Sequence, residues 1–141
     1  MYTYLLPFAV VWMLVAALLG LRLGIRSLSF WPQVEEIAKK GELAAYHAAT
    51  RSFNWSKLVH AHTFLFAVVG VVIFFALGHS ALGEISKDIV ATGVMVASVA
   101  WTLAALREFR PIMGLADILL LISIAISAYG VVTARFLAIL P

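Results

Sequence analysis

Four apolar stretches, each long enough to cross a bilayer, constrain this chain more than any other feature: Tyr4–Leu21, Leu58–Leu77, Ile89–Leu106 and Ile112–Leu137. At a rise of about 1.5 Å per residue, about 20 apolar residues span a hydrocarbon core of about 30 Å. The fold expected is all-α: a four-helix transmembrane bundle in a single domain, residues 1–141. An amphipathic helical connection joins the first and second spans. Composition agrees, with 64% hydrophobic and only 12% charged residues, where a soluble domain carries about a quarter charged.

The charges fall between the apolar stretches. Arg22, Arg26, Lys39, Lys40, Arg51 and Lys57 lie in or beside the first connection, and Arg107 and Arg110 in the third. The second connection has Lys87 and the C-terminal end Arg135. The positive-inside rule puts connections one and three in the cytoplasm and both termini outside. The basic residues are spread over connections rather than gathered on one face, so no nucleic-acid partner is expected. Membrane lipid is the expected surrounding, with other membrane subunits or further copies of the chain as partners. With no cysteine, thiolate metal sites and disulfides are excluded. That absence, with the high Ala and Leu content, fits a prokaryotic plasma membrane. The first span has no basic segment before it and reads as an anchor that is retained.

The first connection, about 35 residues from Arg22 to Lys57, is expected to hold one or two amphipathic surface helices. Trp31-Pro32 reads as a helix start. Glu35–Lys39 and Glu36–Lys40 are i,i+4 pairs, and Gly41 ends that helix. Asn54 to Lys57 marks the return to the membrane. The other two connections are short, so consecutive spans two, three and four are expected to pack as antiparallel neighbours. Ser123, Ser127 and Gly130 form a small-residue stripe on span four, serving either the bundle or another subunit.

A polar side chain within a span is costly and needs a reason. Spans two and four are expected to begin at the same face, which would bring His60, His62, Thr102, Arg107 and Asp117 into one polar layer. His60 and His62, two apart on a helix, cannot both face inward. His62, the deeper, is expected inward and close to Asp117, with His60 meeting His47 or a partner chain. Three readings fit this layer: a haem or metal site, a quinone or proton site, and a structural His–Asp pair. Met113 and His47 are the candidates for a second axial ligand. No Ser–His–Asp set, phosphate loop or carboxylate pair appears, so a non-catalytic subunit is expected.

The segment Val59-His60-Ala61-His62-Thr63-Phe64-Leu65-Phe66 resembles helix openings in small haem-binding membrane subunits. It is also similar to truncated relatives of the main subunit of haem–copper oxidases and nitric oxide reductases. The resemblance implies haem b ligation by His60 or His62 and a place in a respiratory complex. Arg51-Ser52-Phe53-Asn54 is similar to the Arg–Asn pair before span two in the four-span (MAPEG) family of eicosanoid and glutathione metabolism. Lys57 stands where that family has an acid. The expectation is a small membrane subunit of a redox or respiratory complex, touching haem or quinone at the polar layer. The alternatives are a purely structural accessory subunit, or a free-standing MAPEG-like enzyme or small carrier.

Overall fold

The computed structural model describes residues 1–139, and within them four helices carry the fold. They are α1 (Leu5–Lys39), α2 (Leu43–Gly78), α3 (Glu84–Leu106) and α4 (Arg110–Leu137), with one 3-10 turn (Tyr2–Tyr4) ahead of them. The described residues form no strand. Each of the four helices is long and apolar enough to cross a membrane.

The first connection differs from the expectation. α1 does not end at Leu21. It continues for 35 residues to Lys39, and α2 runs for 36. At the α-helical rise these are rods of over 50 Å, so the pair extends about 20 Å beyond a 30 Å hydrocarbon core. The residues expected to form surface helices are instead the facing ends of two long candidate spanning helices, paired as a stalk. Only Lys40, Gly41 and Glu42 connect them.

The cause is tertiary pairing. Phe30 and Phe53 stack with centroids 3.9 Å apart, and with Val34 they form a second small core that takes in part of Leu23, Tyr46 and Ala49. Trp31-Pro32 is therefore not a helix start; Pro32 sits inside α1. Proline cannot donate to the carbonyl one turn back. Here that carbonyl belongs to Leu28, which is exposed, as is Pro32. Asn54 to Lys57 likewise lie within α2 rather than at a break.

Other local expectations hold. Gly41 adopts φ 71° at the stalk tip, a left-handed conformation that a Cβ disfavours. Lys39 Nζ lies 2.7 Å from Glu35, and Lys40 Nζ 2.8 Å from Glu36.

The main core lies between the four helices, with Leu5, Phe66, Val94 and Trp101 among its buried members. α3 and α4 approach closely because Gly93 faces Ser123: a Cβ at Gly93 would stand 2.6 Å from Ser123 Oγ. Gly130 accepts a backbone bond from Ala81 N–H at 3.0 Å, and a Cβ there would meet Leu82 at 2.5 Å. The stripe Ser123, Ser127, Gly130 is thus buried within the bundle. At the same end of α3, Tyr2 N–H donates to Asp88 at 2.7 Å and ties the leading turn down.

Candidate functional site

The two imidazoles leave opposite flanks of α2, as positions about 200° apart must. His60 turns toward α1, where its Nδ1 lies 2.9 Å from the Ala16 carbonyl oxygen. A carbonyl only accepts, so Nδ1 carries a proton, and in the neutral imidazole Nε2 is the acceptor. The ring lies against Gly20, where a Cβ would come within 2.7 Å of Cε1. α1 thus supplies both the acceptor that orients the imidazole and the glycine that makes room for it.

His62 turns the other way. Its Nδ1 donates to Leu58 O at 3.1 Å on its own helix. Its ring stacks on Trp101 of α3, centroids 4.6 Å apart and planes 4° apart. Trp101 is buried, and its indole Nε1 has no partner. The inward imidazole was expected to be His62 alone; instead each histidine docks on a different neighbouring helix. His60 does not meet His47, which lies 13 residues earlier on the same helix, about 20 Å away along its axis. His47 is exposed beside Tyr46, ring centroids 5.8 Å apart.

The expected polar layer forms only in part. Thr102 is buried and shares a 3.2 Å hydrogen bond with Thr63. Thr63 gives its own hydroxyl proton to Val59 O at 2.7 Å, so Thr102 is the donor of the pair. Arg107 is exposed at the end of α3, its backbone N–H capping onto Ala104 O at 3.1 Å. Met113 is partly buried against the main core.

Asp117 departs most from expectation. It is exposed, and among the described residues it forms no hydrogen bond or ion pair, so the His62–Asp117 pair does not form. The reason lies in the face α4 buries. Ala116, Leu120, Ser123, Ser127 and Gly130 turn inward, and Asp117 stands about 100° from Ala116 around the axis.

Beside His60 a groove of about 330 Å³ opens between α1 and α2. Gly20, Gly24 and Ser27 line it on α1, Phe53 and Lys57 on α2. Trp31 sets its edge to Phe53 with centroids 6.1 Å apart, and Lys57 Nζ stands 4.7 Å from the Phe53 centroid. Sequence reading missed this groove, although Gly20 and Gly24 one turn apart are a signal for close helix approach.

A haem held within this chain needs two donors on opposite faces of the macrocycle. His60 and His62 diverge, and neither Met113 nor His47 makes a hydrogen bond or ring contact with either imidazole. The residues present do not fit a haem with both axial ligands from this chain. Among the described residues no group of three or more His, Asp or Glu is placed to hold a metal ion.

The fold defines an all-α protein with four potential membrane spans. Comparison with protein families, with curated proteins and with solved structures returns no match.

Proposed function

We propose that this chain is a small, non-catalytic subunit of a larger redox assembly in the membrane. The observation that carries the subunit reading is Asp117, an exposed carboxylate on a candidate spanning helix. It sits seven residues into α4, about 10 Å from the helix start. An ionisable group at such depth faces a partner or a water-filled cavity, because lipid contact is costly. Ile118, Leu121 and Ile122 on neighbouring positions are exposed as well, so a second protein surface there would cover acid and apolar side chains together.

The redox part of the reading rests on His60. A quinone at this groove would supply two-electron, two-proton chemistry. His60 Nε2, with Nδ1 committed to Ala16, would accept a proton or hydrogen bond from the ring hydroxyl. Lys57 would donate to a ring carbonyl, and Phe53 and Trp31 would flank the ring. The test is a titration of the purified protein with a short-chain quinol, which carries the ring hydroxyl, followed by tryptophan fluorescence. Saturable quenching that is lost in His60→Ala supports the reading, and quenching unchanged in that variant removes it.

A further inference from the structure

On the other side of the α1–α2 seam lies a second cleft, of about 270 Å³, closed by the end of α3. It is built from two matching stripes. Leu19, Arg22, Leu23 and Arg26 on α1 and Ser52, Trp55, Ser56 and Val59 on α2 share the spacing i, i+3, i+4, i+7, which puts each set on one helix face. The stripes change character along their length. Leu19, Leu23 and Val59 make an apolar floor, and Arg22, Arg26 and the two serines a polar mouth. Arg22 directly follows the apolar stretch ending at Leu21, so the mouth lies at the edge of the bilayer.

The arginines are held ready but uncompensated. Arg26 donates to Ser56 Oγ at 3.2 Å and to Ser52 Oγ at 3.1 Å, both neutral acceptors. Arg22 makes no hydrogen bond or ion pair among the described residues, whose ion pairs all lie elsewhere. Trp55 Nε1 donates to Ala105 O at 2.9 Å and pins α2 to the end of α3, which fixes the width of the cleft. Glu108 lines the rim without an ion pair. Two guanidiniums against one carboxylate leave the cleft a formal charge of +1 (2 − 1). Arg51 and Arg110 line the adjoining cavity and add to its positive field.

We infer that this cleft binds an anionic phospholipid, with the phosphodiester between Arg22 and Arg26 and an acyl chain on the apolar floor. Guanidiniums pair with phosphate oxygens through short charge-assisted bonds. The membrane supplies that anion at the level where the arginines stand, and the apolar floor has no use for a free phosphate. Glu108 opposes the anion and tunes the site down.

The test is native mass spectrometry of the full chain released from detergent, with phosphatidylglycerol, phosphatidylcholine or inorganic phosphate as probe. Wild type is expected to retain phosphatidylglycerol in preference to phosphatidylcholine and to show no phosphate adduct. Arg22→Gln and Arg26→Gln each weaken retention about tenfold, the loss of about one charge-assisted bond. Glu108→Gln strengthens it, and Lys39→Gln on the stalk leaves it unchanged. Arg22 makes no internal bond, so its variant reads binding even if Arg26→Gln disturbs the helix pair. Equal retention of the two lipids, phosphate binding as well as phosphatidylglycerol, or wild-type retention in Arg22→Gln would each overturn the assignment.

Discussion

His60 and Ala16 are joined across the α1–α2 seam by a 2.9 Å bond from the imidazole Nδ1 to the backbone carbonyl. This bond selects the tautomer and leaves Nε2 as the free nitrogen. Its neighbour Gly20 has no side chain, and a Cβ there would stand 2.7 Å from the ring. Gly20→Ala is therefore expected to displace the imidazole and cost about 1–3 kcal/mol, the usual range for overpacking. Chemical denaturation gives the energy. The His60 imidazole signals in a nitrogen-15 NMR spectrum report the tautomer, and a Gly20→Ala spectrum identical to wild type would contradict the packing described.

Gly93 and Ser123 test the approach of α3 and α4. A Cβ at Gly93 meets Ser123 Oγ at 2.6 Å, while the next nearest atom, Leu119 Cδ1, is at 3.6 Å. Alanine favours a helix over glycine by about 1 kcal/mol, yet Gly93→Ala should be net destabilising. Adding Ser123→Ala removes the clashing oxygen and should recover most of the loss. A double variant no more stable than Gly93→Ala would mean that the two helices do not meet there.

At the stalk tip, Gly41 has φ 71° and open space around it. Gly41→Ala should cost about 1–2 kcal/mol from backbone conformation alone, and Gly41→Asn less, since asparagine tolerates this region. If Gly41→Ala is neutral, the helix pair does not turn at this residue.

Trp55 joins α2 to the end of α3 through its Nε1 bond to Ala105 O. Trp55→Phe keeps an aromatic ring but loses the donor and half of the indole, which should cost at least about 1 kcal/mol. Hydrogen exchange at the end of α3 should rise with it. Unchanged protection there would sever this link.

The four helices were legible because each holds an apolar run long enough for a membrane. The stalk-tip details were legible too: Gly41 and the Glu–Lys pairs are local signals. The stalk itself was not. Whether α1 continues through Trp31-Pro32 depends on Phe30 meeting Phe53, a contact between distant positions that no local pattern announces. The direction of Asp117 was hidden for another reason. A helix apolar on nearly all sides does not show which face turns inward, and here the close approach of Gly93 to Ser123 decides it. For the histidines, spacing alone required opposite directions, but which neighbour each would meet depended on Gly20 and Trp101. In sequence Arg22 and Arg26 are only markers of topology; their stripe gains a partner through the pairing of α1 with α2, which sets Arg26 against Ser52 and Ser56.

The subunit reading stands on the exposed Asp117, and the absence of cysteine makes it directly accessible to experiment. Leu121 lies one turn beyond Asp117 and is 63% exposed, so a single cysteine there, Leu121→Cys, can carry a photo-crosslinker in native membranes. One adduct of defined mass is expected, a second copy or one partner chain, and its loss when Asp117→Leu is added while the protein stays folded and abundant. An uncrosslinked monomer, or the same adduct with and without Asp117, would contradict it.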